Sequence, residues 1–117
     1  NVEYDFHNIN SLATGKAAYE SLKRLDIRHP LVMSTSTFFG MGKYSGHIVY
    51  DSYSDFSWLA MSLPAIFNFQ LFGMPFTGVD ICGKEGNATA ELCARWMALG
   101  SMYPFARNHN SLGGSPQ

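Results

Sequence analysis

Two aspartates stand where enzymes built on parallel sheets place their reacting groups. Asp51 lies in a loop that follows one predicted strand, and Asp80 comes directly after a second predicted strand. Barrel and open-sheet enzymes carry reacting side chains at the carboxyl ends of their strands. A pair of carboxylates suits general acid–base chemistry on a glycosidic bond. The alternative is that both aspartates are ordinary loop residues that cap neighbouring backbone.

A third polar group lies near the end of the chain. Arg107, Asn108, His109 and Asn110 form a dense run of hydrogen-bonding side chains between apolar neighbours. Such a run can line a polar pocket, and it can equally form a solvated turn. The sequence leaves both interpretations open.

The two cysteines, Cys82 and Cys93, bracket one short glycine-bearing loop. That loop also carries an N-glycosylation acceptor at Asn87, in the sequence Asn-Ala-Thr. Disulfides persist in oxidising compartments, so the coincidence favours a secretory or lysosomal origin. A bond here would add about 3 kcal/mol to stability. The alternative is a pair of buried thiols beside an unused acceptor.

Several other classes of function are disfavoured. The segment 39–44 has glycines and a lysine but lacks the spacing and the hydroxyl residue of a phosphate loop. The four histidines show no metal-ligand spacing, so we predict no metal and no cofactor. A net charge of −1 argues against nucleic-acid and anionic-membrane surfaces. No apolar run approaches the roughly 20 residues of a membrane span. No signal peptide is recognised, and we therefore expect that the chain was processed or was cut from a longer one.

The elements that would position these residues alternate between helix and strand. Apolar spacing predicts helices over 11–25 and 89–99. A further helix is predicted to begin at Ser54–Asp55 and to be broken or kinked by Pro64. A second short helix is predicted over 65–72. Strands are predicted over 31–34 and 75–79, and loops over 35–54 and 105–110. This order favours an α/β fold with a parallel sheet and long loops at the strand ends.

Five motifs in order resemble one known family, the α-glucosidases of glycoside hydrolase family 31. They are Ser34-Thr35-Ser36-Thr37-Phe38, Gly46-His47 with Asp51, Gly78-Val79-Asp80-Ile81-Cys82-Gly83, Leu92-Cys93-Ala94-Arg95-Trp96, and Tyr103-Pro104-Phe105-Ala106-Arg107-Asn108-His109-Asn110. The resemblance extends from about Tyr4 to Leu112. It implies a partial (β/α)8 TIM barrel, roughly the fifth to seventh βα units, over residues 1–112, followed by a linker-like tail over 113–117.

The resemblance also implies roles for individual residues. Asp51 would be the general acid/base of a retaining exo-α-glucosidase, and Asp80, His109 and Arg107 would bind the terminal glucose. Cys82 and Cys93 would form a loop disulfide. Asn87 matches a position that is glycosylated in some members.

The family's nucleophilic aspartate lies in a Trp-x-Asp-Met-Asn-Glu-like motif that this chain does not contain. A retaining mechanism needs two carboxyl groups about 5–5.5 Å apart. We therefore expect the chain by itself to be inactive as a glucosidase.

Four positions depart from the usual family pattern. Thr35 replaces an arginine, Ile48 a tryptophan, Tyr50 a glycine and Lys84 a phenylalanine. In the family the arginine would organise charge around the nucleophile, and the two aromatic residues would form the sides of the sugar pocket. This chain lacks all three. We expect Tyr50 and Lys84 to fill part of the pocket.

Three functions remain open at this point. The chain is a segment of an active α-glucosidase, a catalytically silent structural subunit of an assembly, or a glycan-binding pseudoenzyme that does not hydrolyse. Because a partial barrel leaves open sheet edges, we expect it to pack against the rest of its parent chain or against other proteins. An α-glucoside is the expected ligand, and the secretory pathway, lysosome or extracellular space the expected location.

Overall fold

A computed structural model describes residues 3–117 of the chain. The helices are α1 (Glu3–Phe6), α2 (Asn10–Arg24), α3 (Phe56–Leu71) and α4 (Ala90–Gly100). The strands are β1 (Met33–Ser34), β2 (Gly46–Ile48), β3 (Thr77–Gly78), β4 (Asp80–Ile81) and β5 (Arg107–Asn108). Two single 3₁₀ turns cover His7–Ile9 and Met41–Lys43.

The described strands pair in parallel and in chain order. β1 pairs with β2, and β2 pairs with β3. β4 follows β3 after the single residue Val79 and pairs with β5, with Asp80 opposite Arg107. Helices connect β2 to β3 and β4 to β5. A parallel wall whose neighbours follow each other along the chain is the arrangement of a βα barrel, and the predicted α/β class is confirmed.

Two strands lie in segments that were predicted to be loops. β2 falls inside the predicted loop 35–54, and β5 falls inside the predicted loop 105–110. Both predictions were wrong because these strands are only three and two residues long and carry polar residues. Their hydrogen bonds come from neighbouring strands, and a local sequence pattern does not report such partners.

Helix α3 runs unbroken through Pro64, so the prediction of two short helices was wrong. A proline inside a helix costs about 3 kcal/mol because it removes one backbone hydrogen bond. Two features compensate for that cost. The Asp55 side chain caps the helix by accepting a hydrogen bond from the Trp58 backbone at 3.0 Å, and Ile66 is buried against the core.

The core lies between the strand layer and helices α3 and α4. Its buried members are Ile66, Val79, Ile81, Cys82, Leu92, Trp96 and Tyr103. Helix α4 begins where predicted, with Thr89 accepting a hydrogen bond from the Leu92 backbone at 3.2 Å. The core therefore fixes β4 and the start of the cysteine loop, which are the elements that carry the candidate site.

Large apolar side chains remain exposed elsewhere on the molecule. Phe39 is 89% exposed, Leu71 83% and Phe72 71%. A hollow of about 410 Å³ lies beside this surface, lined by Thr37, Phe38, Phe39, Phe69, Phe72 and Met74. Within residues 3–117, no helix combines the length and apolar character needed to span a bilayer.

Candidate functional site

Asp80 is the fixed centre of the site. Its side chain is fully buried in β4, and its Oδ1 accepts hydrogen bonds from Arg107 Nε at 2.6 Å and Nη2 at 2.5 Å. Arg107 stands opposite Asp80 in the paired strand β5, which accounts for this geometry. A buried carboxylate is stable only with such charge-assisted partners.

The second oxygen of Asp80 is less well satisfied. Oδ2 is buried, and no group in residues 3–117 forms a hydrogen bond with it. The ring nitrogen Nδ1 of His109 lies 3.7 Å from it, which is beyond hydrogen-bond distance. Oδ2 therefore keeps capacity to accept a hydrogen bond from a ligand hydroxyl. The His109 side chain itself is 44% exposed.

Asp51 lies three residues beyond the end of β2 and is accessible. Half of its side chain, 51%, is exposed, and Oδ2 accepts a hydrogen bond from Lys84 Nζ at 2.6 Å. This hydrogen bond is the main reason that the pKa of Lys84 is raised above its ordinary value. The predicted general acid/base thus meets a lysine from the cysteine loop.

Three chain segments are joined around these two aspartates. Ser52 Oγ donates to the Asp80 carbonyl at 3.0 Å, and the Ser52 carbonyl accepts from the backbone of Lys84 at 2.7 Å and of Glu85 at 3.0 Å. Ser111 donates its backbone N–H to the Lys84 carbonyl at 3.0 Å. The loops after β2, β4 and β5 therefore form one unit that carries Asp51, Asp80 and His109.

The cysteine loop is locked by a disulfide between Cys82 and Cys93, as predicted. The Cα atoms are 4.6 Å apart, and the bond ties the end of β4 to helix α4. Cys82 and Gly83 both have positive φ angles, of 72° and 85°. At Gly83 any side chain would meet the backbone of Tyr53 and Ser54, so the loop turns tightly against the segment after Asp51.

Asn87 is exposed on the cysteine loop. Its Oδ1 accepts a hydrogen bond from the Ser115 backbone at 2.8 Å. Gln117 donates to the Gly83 carbonyl at 2.6 Å, so the tail folds back over this loop. Glycosylation of Asn87 and the division at residue 112 stay predictions.

The four unusual positions differ in where they lie. Thr35 is exposed just after β1, and Ile48 is half-buried at the end of β2. The Tyr50 ring packs edge-on against Trp58 of α3, with centroids 4.8 Å apart, beside the core cluster. The expectation that Tyr50 fills the pocket was therefore wrong for this side chain, because its ring joins the sheet–helix layer. Lys84 does occupy the site, against Asp51.

His47, in the motif Gly46-His47, also faces the helix layer. It is 2% exposed, and its ring lies 3.9 Å from the Phe69 ring, centroid to centroid. Burial lowers the pKa of His47, and the nearby Ser34 backbone opposes this shift only in part. Neither ring nitrogen has a hydrogen-bond partner of normal geometry within residues 3–117. His47 is a packing residue of β2.

Sequence reasoning missed Ser52 and Ser111, which join the three loops. Serines are common in loops, and no local pattern separates these two from the others. The role of Lys84 was likewise not predicted beyond its bulk and charge. Its partner Asp51 is 33 positions away in the chain and becomes its neighbour only through parallel strand pairing.

The hollows described for this chain lie away from the two aspartates. A polar hollow of about 590 Å³ is lined by residues of α1, α2 and the segment after β1, among them His7, Asn10, Ser34 and Thr37. A smaller one of about 200 Å³ lies near Tyr44 and Phe76. Neither these hollows nor the apolar one is lined by Asp51 or Asp80. In the part of the chain that the structure describes, no three acidic, histidine or cysteine side chains cluster as metal ligands.

Comparison with known proteins places these features in a family. The family model described as "Glycosyl hydrolases family 31 TIM-barrel domain" matches residues 1–117. The lysosomal acid alpha-glucosidase of Tetrahymena pyriformis is 47% identical over 115 residues, which is 98% of this chain and 12% of that protein. The lysosomal alpha-glucosidase of Bos taurus is 46% identical over 114 residues, 97% of this chain and 12% of that protein.

Solved structures share the fold. A glucosidase II alpha subunit bound to alpha3-Glc2 superimposes with a TM-score of 0.89 at 30% identity, covering 97% of this chain and 13% of that one. A Flavobacterium johnsoniae GH31 dextranase with glucose gives a TM-score of 0.90 at 22% identity, covering 98% and 16%, a likeness of fold alone. The chain spans about an eighth of the length of these relatives, and it belongs to glycoside hydrolase family 31, within its TIM-barrel domain.

Proposed function

We propose that this chain supplies one part of the active site of a retaining α-glucosidase. Asp51 acts as the general acid/base, and Asp80, Arg107 and His109 bind hydroxyls of the terminal sugar. The nucleophile comes from outside this chain. In the first step Asp51 gives its proton to the glycosidic oxygen as the bond to C1 breaks, and the nucleophile bonds to C1. In the second step water bonds to C1 as the bond between C1 and the nucleophile breaks, and Asp51 takes the proton that the water loses.

One observation carries this proposal, the contrast in setting between the two aspartates of the same rim. Asp80 is buried and held by Arg107, with one oxygen still able to accept a hydroxyl hydrogen bond. Asp51 is half exposed at the end of the neighbouring strand, where a substrate oxygen can reach it. A rigid acceptor for sugar hydroxyls beside an accessible acid supplies two parts of a retaining site, and the nucleophile from outside this chain would supply the third.

The test uses the full-length protein and the variants Asp51→Ala and Glu91→Gln. With maltose we expect Asp51→Ala to lower kcat/KM by about 10²- to 10⁴-fold, the usual contribution of a general acid. A dinitrophenyl α-glucoside needs little protonation of its leaving group, so the first step should suffer much less. Azide should restore turnover by replacing water in the second step.

Glu91 provides the matched control, because it is an exposed carboxylate on α4 whose partner is Arg95. Glu91→Gln should leave both substrates unaffected. Equal losses on both substrates, or full activity of Asp51→Ala on maltose, would contradict the role given to Asp51.

A second candidate function is a glycan-binding protein that does not hydrolyse. The ion pair between Asp51 and Lys84 favours it, because the ammonium group already occupies the Asp51 oxygen Oδ2. Sugar binding in calorimetry without turnover at any pH would support this candidate over the first.

The surroundings of the chain follow from the same family membership. We propose that other parts of a longer protein cover the apolar surface around Phe39 and Phe72, which is too large and too exposed to face water. Relatives named as lysosomal enzymes and solved structures of an ER glucosidase support a place in the secretory pathway. The disulfide and the acceptor at Asn87 agree with that, and we propose a lysosomal or extracellular destination.

A further inference from the structure

Lys84 meets Asp51 in a geometry that the backbone maintains. The ammonium group lies 2.6 Å from Asp51 Oδ2, and 24% of the lysine side chain is exposed. The Lys84 N–H donates to the Ser52 carbonyl, next to Asp51, and the Lys84 carbonyl accepts from Ser111. These two backbone hydrogen bonds fix the position from which the Lys84 side chain reaches Asp51.

The disulfide adds a further restraint. Cys82 and Gly83 directly precede Lys84, and their positive φ angles set the direction in which the loop leaves β4. The bond to Cys93 holds this turn against helix α4. Lys84 is therefore placed by the same strand end that places Asp80.

The acidic groups around the pair favour the charged form of Lys84. Glu85 and Asp80 both favour the charged form of Lys84, and partial desolvation opposes it. Arg107 of β5 and His109, the residue after this strand, face Asp80. The remaining acidic group near the start of α3, Asp55, is engaged with Ser57 and the Trp58 backbone. Within residues 3–117, Lys84 is thus the cation that contacts Asp51.

We propose that Lys84 is a positioning residue that keeps the Asp51 carboxyl group charged and thereby moves the working range of the enzyme to acidic pH. The inference rests on the proposed role of Asp51. The first chemical step needs a proton on Asp51, and a neighbouring ammonium group favours the form without it. The second step needs the charged form, which Lys84 stabilises. The lysine therefore lowers the fraction of enzyme that carries the proton needed for the first step, and it keeps the charged form needed for the second step populated at lower pH.

The experiment compares pH profiles of kcat/KM for the full-length protein and Lys84→Met with maltose as substrate, because its leaving group needs the proton from Asp51. Methionine keeps the length of the side chain and removes its charge. We expect the alkaline edge of the profile to move up by about 0.5 to 1 pH unit, a modest shift because the pair is partly exposed. The acidic edge, set by the nucleophile outside this chain, should stay in place.

Two further variants separate charge from structure. Lys84→Arg keeps the cation and should keep the alkaline edge of the original protein. Lys16→Met removes an exposed lysine of α2, away from the site, and should change neither edge. A change in stability alone would alter the amount of active enzyme but not the position of an edge.

A second readout works without turnover. Carbon-13 labelled aspartate, with the Asp51 signal identified from Asp51→Asn, reports the titration midpoint of this carboxyl group directly. We expect a higher midpoint in Lys84→Met than in the original protein. An unchanged midpoint together with an unchanged alkaline edge would overturn the inference. Absence of turnover by the original protein at any pH would instead overturn the proposed function, and the midpoint would still decide the role of Lys84.

Discussion

The site has two halves that hold a carboxylate in opposite ways. Asp80 sits inside β4 with no exposed surface, and two nitrogens of Arg107 bind one of its oxygens. Asp51 sits beyond the end of β2, half exposed, and meets a single ammonium group. The first half is built from paired strands, and the second from loops that are hydrogen-bonded to the ends of those strands.

The difference between the two halves agrees with the roles proposed for the two carboxylates. A group that recognises a sugar hydroxyl must stay in one place, and a buried ion pair gives it that rigidity at a high cost in desolvation. A group that exchanges protons must reach both substrate and water, so it needs an accessible position. Strand registry suits the first demand, and a loop suits the second.

The largest expected effect comes from removing the cation of the buried half. Arg107→Met leaves the Asp80 carboxylate buried without its partner, and we expect a loss of about 3 to 4 kcal/mol in the free energy of unfolding. Thermal denaturation of the full-length protein, with hydrogen exchange at β4 and β5, measures it. The matched control is Arg95→Met, which breaks an exposed pair with Glu91 and should cost less than about 0.5 kcal/mol. Similar losses for both variants would show that burial does not separate the two halves.

The disulfide provides the next largest effect and acts on the exposed half. Replacing Cys82 and Cys93 by serine should cost about 2 to 3 kcal/mol, because the unfolded chain regains the freedom of a short closed loop. We expect faster hydrogen exchange at the Lys84 and Glu85 amides, which bond to Ser52, than at β5. Treatment of the original protein with a reductant should give the same exchange pattern. Equally faster hydrogen exchange in both halves would mean that the disulfide stabilises the strands as well as the loop.

The sequence predicts the two halves unequally well. Helices α2 and α4 could be located because their apolar spacing is a local signal. Strands β2 and β5 could not, because each is short and depends on hydrogen bonds from distant segments. Asp51, Asp80 and His109 were recognised from family motifs, so their identity did not require the fold.

The contacts of those residues could not be predicted from the sequence. The pairing of Arg107 with Asp80 depends on the register of β4 and β5, which sets the two residues opposite each other. The pairing of Lys84 with Asp51 depends on the turn at Cys82 and Gly83. A motif gives the type of each residue, whereas its partners are fixed by strand register and by backbone angles that require the whole sheet.

The smallest expected effect tests the exposed half by itself. Asp51→Asn removes one partner of the exposed ion pair, and we expect the free energy of unfolding to change by no more than about 0.5 kcal/mol, since water solvates the freed Lys84. Thermal denaturation measures this change, and Asp80→Asn is the variant for comparison. Water cannot easily solvate the groups left unpaired at the buried site, so we expect Asp80→Asn to lower the free energy of unfolding by about 2 kcal/mol or more. A large loss in Asp51→Asn would mean that Asp51 is a structural anchor of the three loops. A negligible loss, together with the activity loss expected for Asp51→Ala, separates a carboxylate kept for chemistry from one that also holds the fold.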